Sequence, residues 1–171
     1  MKEKYIIGKN IDIKIINKKD IGELLKFQKE IIDEMNNKEW FVSLTEEEFL
    51  SSINGRDNAY FFMHDDKIVS LLVLTCDIPE VLEEYQLPSD NYMLIDSIMV
   101  NSEYRGHKLQ RQMLQFAYKR AMELKMDGLV ATVHPNDTYS LKNFVEEDYK
   151  ILHLLQIHGG PRDILVKNIE M

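Results

Sequence analysis

A strand, a short basic turn, a helix and a second strand follow one another between residues 92 and 134, and this unit constrains the fold most. The run YMLIDSIMV (92–100) is apolar throughout except at Asp96 and Ser97, as expected of a central strand. From Leu109 the apolar residues recur at helical spacing, and LVATVH (129–134) is strand-like again. Two strands joined in this way are expected to lie parallel in one sheet, with a right-handed crossover.

The other segments predict further strands and helices on both sides of this unit. Strands are predicted at 11–16, 60–64, 67–76, 149–158 and 162–168, and helices over 19–35, 45–54, 108–125 and 137–147. Residues 77–91 contain two prolines and five acidic residues, which predicts a loop with a short helix. The order β-α-α-β-β-β-α-β-α-β-β predicts a mixed α/β fold, with a mostly antiparallel sheet of about seven strands covered by helices on both faces.

Length and composition restrict the class of protein. The chain has 171 residues, of which 44% are apolar, and is expected to form one domain spanning residues 1–171. A net charge of −8 argues against nucleic-acid binding, and no run approaches the roughly 18 apolar residues of a membrane span. The single cysteine, Cys76, permits no intrachain disulfide and fits a reducing cytoplasm.

The turn before the central helix has the features of an anion-binding site. Arg105, His107, Lys108 and Arg111 place four basic side chains within seven residues. The first amides of a helix have no intrahelical acceptor and carry the positive end of the helix dipole. A solvated loop with ordinary surface charge remains an equal alternative on these grounds, because the Walker and dinucleotide glycine patterns are both absent.

The turn also resembles the central motif of a known family. The GNAT superfamily of acetyl-coenzyme A-dependent N-acetyltransferases has Q/R-x-x-G-x-G/A after a strand that ends in Val and at the start of a helix. Here Arg105-Gly106-His107-Lys108-Leu109-Gln110 stands five residues after Val100. The element order is similar to that of the family from about residue 11 to 168. Lys108 and Gln110 depart from the motif, because they occupy its two glycine positions.

The resemblance implies that acetyl-CoA binds at this turn. The amides of the turn would hold the pyrophosphate, and main-chain groups of Ile98, Met99 and Val100 would contact the pantetheine arm and the thioester. In the following helix, Ser140 fits the family's small residue, Asp137 stands at its Asn, and Phe144 stands at the Tyr that often protonates the departing thiolate. The implied coenzyme-binding residues are Ile98, Met99, Val100, Arg105, Gly106, His107, Lys108, Leu109, Gln110, Arg111, Asn136, Asp137, Ser140 and Phe144.

An amine must lose a proton before it attacks a thioester, and Asp96 is the first candidate for the base. A carboxylate within an apolar strand is costly unless it is paired or functional. Simple alternation places Asp96 on the same face as Leu94 and Ile98, away from Ser97. A structural partner for a lysine or the backbone is the alternative role. His134, at the end of a strand, is the second candidate, although such a histidine is more often a structural hydrogen-bonding residue.

The acceptor site of the family lies between the loop after the first helix and the last hairpin. Trp40 and Phe41 are candidates to stack on an acceptor, and Arg162 is a candidate to bind a carboxylate. The alternatives are that the two aromatic residues belong to the core and that Arg162 pairs with an acidic residue of the protein.

The leading hypothesis is an N-acetyltransferase that transfers an acetyl group from acetyl-CoA to a small-molecule primary amine, by direct attack in a ternary complex. Lys108, Gln110 and Phe144 motivate the alternative of a GNAT-fold protein that binds coenzyme A with weak or no transfer. A module that binds only other proteins is a third hypothesis. No metal is expected, and a homodimer is left open.

Overall fold

The computed structural model describes residues 2–4, 10–54 and 58–170. Its strands are β1 (Lys2–Lys4), β2 (Asn10–Ile15), β3 (Ala59–His64), β4 (Lys67–Thr75), β5 (Tyr92–Val100), β6 (Gly128–Val133), β7 (Lys150–Ile157) and β8 (Gly160–Asn168). Its helices are α1 (Ile21–Glu34), α2 (Glu46–Asn54), α3 (Pro79–Glu84), α4 (Leu109–Glu123) and α5 (Thr138–Glu146). Short 3-10 turns occupy Lys18–Asp20, Lys38–Trp40 and Ser102–Tyr104.

The predicted fold class is confirmed. The eight strands form one sheet in the order β1-β2-β3-β4-β5-β6-β8-β7, in which only the β5–β6 pair is parallel. The three-residue strand β1 adds one strand to the expected seven. The last hairpin turns at His158 and Gly159, both with positive φ, so that Pro161 lies within β8 rather than in the turn.

Helices cover both faces of the sheet, as the pattern predicted. On one face, α4 and α5 bury residues such as Met113, Ala117 and Phe144 against the sheet. On the other face, α1 and α2 bury Phe27 and Phe49 over one half, and α3 covers the other half. Thr45 and Glu48 form the capping box that begins α2, because each side chain accepts the backbone N–H of the other residue.

A β-bulge interrupts the alternation of side chains in β5. Its pairing with β4 passes from Val73↔Ser97 to Leu74↔Ile95, so Asp96 is the extra residue. Before the bulge, Leu94 packs on the face of α3, whereas Ile98 after it packs on the face of α4. The prediction that Leu94, Asp96 and Ile98 share a face was therefore wrong, because uninterrupted alternation does not hold across a bulge.

Just before the bulge, β5 and β6 cease to pair. Their parallel pairing is limited to Tyr92↔Gly128, Met93↔Leu129 and Leu94↔Val130, although β5 continues to Val100. The remaining lengths of the two strands therefore border a gap in the middle of the sheet, and the candidate site lies at this gap.

The edge strand β7 carries exposed aliphatic side chains, namely Ile151, Leu152 and Leu154. The homodimer considered from the sequence stays a prediction. Within the described ranges, no helix is both long enough and apolar enough to cross a membrane.

Candidate functional site

Two cavities that share a wall lie at the gap between β5 and β6. The larger cavity has a volume of about 430 Å³ and extends from the end of α1 along Ile98, Met99 and Val100 to Arg105. The smaller cavity, of about 100 Å³, is lined by Asp96 and Arg162 among other residues. The residues that line both cavities, and so form their junction, are Trp40, Phe41, Ile98, Asp137 and Ser140.

The basic turn has a left-handed backbone at two positions. Gly106 has a φ of 84°, which a glycine adopts without a steric penalty. Lys108, the N-cap of α4, has φ 60° and ψ 24°, which is the left-handed helical region. A lysine therefore adopts a conformation that favours glycine at the position where the motif usually has one. The amides of Leu109, Gln110 and Arg111 follow as the first free donors of α4.

Tyr139 lies against this turn. Its hydroxyl accepts a hydrogen bond from the Gly106 N–H at 3.4 Å, and its side chain lines the larger cavity. Tyr139 is 51% exposed, so the contact is at the surface. No role was assigned to Tyr139 from the sequence. Its proximity to the turn depends on the packing of α5 beside α4, which no local pattern specifies.

Two predicted coenzyme ligands in α4 direct their side chains to α5. The Gln110 amide donates to Ser140 Oγ at 2.9 Å and accepts from Asn143. The Arg111 guanidinium forms ion pairs with Glu146 and the buried Glu147. These side chains therefore fix α4 against α5, and the groups that they leave for a ligand are their backbone amides.

The start of α5 completes the junction of the cavities. Asp137 caps the helix by accepting a hydrogen bond from the Ser140 N–H at 3.2 Å. Burial raises the pKa of the Asp137 carboxyl above its ordinary value. The neighbouring Asn136 is exposed and lines neither cavity.

Asp96 faces the smaller cavity and is held by two hydroxyl residues. Thr75 Oγ1 donates to Asp96 Oδ2 at 3.0 Å, and the buried Ser52 lies 3.0 Å from the same Thr75 oxygen. Because Thr75 gives its only proton to Asp96, Ser52 must donate to Thr75. This chain fixes the orientation of the carboxylate at the bulge. Neither Ser52 nor Thr75 was singled out from the sequence, since they come from separate elements.

His134 is placed differently from Asp96. It is buried, its ring stacks on Trp40 with 5.7 Å between the ring centroids, and its Nδ1 accepts the Asn136 N–H. An imidazole whose Nδ1 accepts a hydrogen bond carries its proton on Nε2 when neutral, so no lone pair is left to receive a substrate proton. His134 lines neither cavity, and its geometry favours the structural role.

The turn that carries Trp40 and Phe41 is anchored from both sides. The Lys38 ammonium donates to the carbonyl oxygens of Ile32, Asp33 and Met35 at the end of α1. From β8, Arg162 Nη2 donates to the Glu39 carbonyl at 2.8 Å. Trp40, Phe41 and Arg162, which were predicted from different parts of the sequence, are thus brought together.

Phe144 is buried in the wall of the smaller cavity. Its ring meets Tyr149 edge-on, at 5.0 Å between the centroids. The Tyr149 hydroxyl is buried without a hydrogen-bond partner among the described residues, and burial raises its pKa. The described residues contain no group of three His, Cys, Asp or Glu side chains that could hold a metal ion.

Comparison with known proteins identifies the family of this chain. A model of the Acetyltransferase (GNAT) family matches residues 25–146, which is well over half of the chain. The chain is an acetyltransferase of the GNAT family. The predicted membership of the GNAT superfamily is thereby confirmed, and acetyl transfer is its general reaction. No curated protein matches its sequence.

Solved structures of acetyltransferases share the fold over nearly the whole chain. The GNAT-family acetyltransferase from Streptococcus pneumoniae has a TM-score of 0.73 at 18% identity, covering 94% of this chain and 99% of its own. An N-acetyltransferase from Staphylococcus aureus Mu50 has a TM-score of 0.74 at 17% identity, covering 95% and 100%. NAA60 from Arabidopsis thaliana, solved with acetyl-CoA, has a TM-score of 0.72 at 13% identity, covering 93% and 98%. At these identities the likeness establishes the fold alone.

Proposed function

We propose that this acetyltransferase transfers an acetyl group from acetyl-CoA to a small-molecule primary amine, by direct attack in a ternary complex. The observation that carries the proposal is the junction of the two cavities, which connects the basic turn and Ile98–Val100 to the carboxylate of Asp96. A coenzyme in the larger cavity would present its thioester at this junction. An amine in the smaller cavity would meet the thioester beside Asp96.

Acetyl-CoA is the donor that fits the larger cavity. The free amides at the start of α4, with Arg105 beside them, form a suitable site for a diphosphate. NAA60 and the NatC complex were solved with acetyl-CoA and CoA respectively, and both have this fold. On binding, a phosphate oxygen would replace the Tyr139 hydroxyl as the acceptor of the Gly106 N–H.

The proposed reaction removes two protons from the acceptor nitrogen and returns one to the thiolate of coenzyme A. Asp96 takes a proton from the ammonium group, directly or through water, and the free amine nitrogen forms a bond to the thioester carbonyl carbon. The carbon–sulfur bond then breaks, and the thiolate of coenzyme A leaves with the electron pair. The nitrogen then loses its second proton; of the two protons removed, one is returned to the thiolate and the other is released to solvent. Cys76 is buried in the core, which argues against an acetyl-cysteine intermediate.

Isothermal titration calorimetry with acetyl-CoA, followed by a thiol-release assay with a panel of amines, tests the proposal. We expect micromolar binding and turnover of at least one class of primary amine. Absence of binding at high micromolar acetyl-CoA would contradict the coenzyme site. Binding without thiol release would instead support the second candidate, a coenzyme A-binding protein with weak or no transfer.

The second candidate is favoured by one observation, the phenyl ring of Phe144. At this place in the cavity wall the residue has no proton to give to a thiolate. We expect Phe144→Tyr to raise kcat by about tenfold, less than a typical general acid contributes, because a thiolate is already a tolerable leaving group. Steady-state thiol release measures the change.

The matched control for that variant is Tyr149→Phe. It removes the neighbouring phenol, which lines neither cavity, and is expected to leave kcat unchanged. An unchanged or lower kcat in Phe144→Tyr would mean that another group or water already protonates the thiolate efficiently.

Substitution of Lys108 distinguishes the effect of its charge on coenzyme binding from the effect of its backbone conformation on stability. We expect Lys108→Gly to raise the free energy of unfolding by up to about 1 kcal/mol, because the left-handed conformation penalises a side chain. The Kd of coenzyme A should rise a fewfold, since a positive charge near the diphosphate is lost, and this difference should shrink at high salt.

Lys108→Asn is the control, because asparagine tolerates the left-handed region but carries no charge. It should weaken coenzyme binding as much as the glycine variant does. Tighter binding in Lys108→Gly would contradict the expectation and would identify the lysine side chain as an obstruction.

A further inference from the structure

Arg162 is a buried cation whose polar partners are all neutral. Only 2% of its surface is exposed, and it lines the smaller cavity. Its guanidinium donates to the carbonyl oxygens of Pro161 and Glu39, each at 2.8 Å, and to that of His158 at 3.5 Å. Within the described residues, no carboxylate lies within ion-pair distance of it. The neighbouring Asp163 points to the opposite face of β8.

The three carbonyl contacts do not account for a full positive charge at this position. A neutral amide could make the two short hydrogen bonds without the several kcal/mol that burial of an ion costs. Burial lowers the pKa of Arg162, as expected for a cation that lacks a nearby anion. The three bonds use Nη1 and Nη2, so the Nε–H has no acceptor among the described residues. A guanidinium with free N–H groups binds a carboxylate strongly and with defined geometry.

The same cavity contains groups that suit an ammonium. Asp96 lines it from β5, and the adjacent Ser97 has a buried hydroxyl with no hydrogen-bond partner among the described residues. Ser97 is 3% exposed, so bulk water does not satisfy this hydroxyl. Asp96, Ser97 and Arg162 therefore line one space of about 100 Å³, which has room for several water molecules or a small polar group.

We propose that the acceptor is a free α-amino acid, whose ammonium is bound by Asp96 and whose carboxylate is bound by Arg162. This inference rests on the proposed function, because it assigns the acceptor of that reaction. A zwitterion whose ammonium and carboxylate are attached to one carbon can place the ammonium beside Asp96 and the carboxylate beside Arg162 in a single small cavity. The rings of Trp40 and Phe41, at the entrance, leave the amino-acid side chain an apolar surface to contact. The product is an N-acetylamino acid and free coenzyme A.

The test compares matched acceptors in thiol-release assays on the unmodified enzyme. Each amino acid is compared with its carboxamide and with the amine that lacks the carboxylate. We expect kcat/KM to be about 10- to 100-fold higher for the acid, the range for a hydrogen bond to a buried charged group. Equal values for the acid and the carboxamide would overturn the inference while leaving the amine acetyltransferase activity intact.

The variants Arg162→Gln and Arg162→Lys assign the preference to the guanidinium. We expect the ratio of acid to carboxamide to fall to near one in Arg162→Gln and to an intermediate value in Arg162→Lys. Lys38→Gln is the matched control, because it loosens the same turn from α1 but leaves Arg162 in place. It should lower the rates with both acceptors and preserve their ratio. A preference that survives in Arg162→Gln would overturn the assignment.

A binding measurement keeps the inference testable if no acceptor is turned over. In that event the transferase proposal fails. The shift of the melting temperature is then measured with amino acids and with their carboxamides, in the presence of coenzyme A. Stabilisation by the acids alone would preserve the carboxylate site without the reaction. No difference between acids and carboxamides would overturn both proposals.

Discussion

Asp96→Asn should lower kcat/KM for amine acetylation by about 100- to 10,000-fold, the usual contribution of a general base. The asparagine amide is isosteric with the carboxylate and can still accept the Thr75 hydrogen bond. It cannot take a proton from an ammonium group. The Kd of acetyl-CoA should remain within about twofold of the wild-type value, because Asp96 lines the smaller cavity only.

The pH dependence of this variant provides a second measurement. As the pH rises toward the pKa of the amine, roughly 10 for an alkylammonium such as lysine, more of the acceptor is already deprotonated in solution. The difference in kcat/KM between Asp96→Asn and the wild-type enzyme should therefore become smaller as the pH rises. Asp90→Asn, which makes the same charge change at an exposed position, is the control and should retain full activity. A small deficit that does not depend on pH would assign Asp96 a structural role.

Gly128→Ala should lower the free energy of unfolding by about 2–3 kcal/mol, the upper part of the range for overpacking a buried site. A Cβ atom at this position would lie 2.6 Å from Cε2 of Tyr92 and 2.7 Å from the carbonyl oxygen of Lys167. The tyrosine ring cannot swing away freely, because it is buried and its hydroxyl donates to Asn168 at 2.7 Å. The Lys167 carbonyl cannot move away freely either, because it belongs to β8, which is paired with β6. Denaturant unfolding measures the change.

Gly22→Ala is the matched control for that substitution. Gly22 is exposed within α1, and a Cβ atom there would have no neighbour within 4 Å. Alanine should therefore stabilise the protein by up to about 1 kcal/mol through helix propensity.

Because Gly128 lies in one of the three paired positions of β5 and β6, the Gly128→Ala variant should also reduce coenzyme affinity. Normal stability in Gly128→Ala would mean that these strands can separate without cost.

The fold was largely predictable because its signals are local. The hydrophobic periods of α1 and α4, the capping box of α2 and the Asp137 cap each depend on residues within one or two turns. The parallel arrangement of β5 and β6 followed from chain connectivity. The bulge at Asp96 was not predictable in this way, because it depends on how β4 pairs with β5, and periodicity within a single strand contains no such information.

The candidate site was predictable in its residue types and less so in its contacts. The sequence singled out Asp96, Trp40 and Arg162, but their approach to one cavity depends on pairings between distant strands. The same dependence explains why Ser97 and Tyr139 were passed over. The Ser97 hydroxyl is buried without a hydrogen-bond partner among the described residues, and the Tyr139 hydroxyl contacts the Gly106 N–H. Both features depend on how distant segments pack together.

The junction at Trp40, Phe41, Ile98, Asp137 and Ser140 also has a consequence for the choice of acyl donor. On the proposed binding mode, the acyl group enters the space of about 100 Å³ that the acceptor must also occupy. Every methylene added to the acyl chain takes volume from the amine. Donor length and acceptor size are therefore expected to trade off against each other, so a propionyl or butyryl thioester would restrict the enzyme to progressively smaller acceptors.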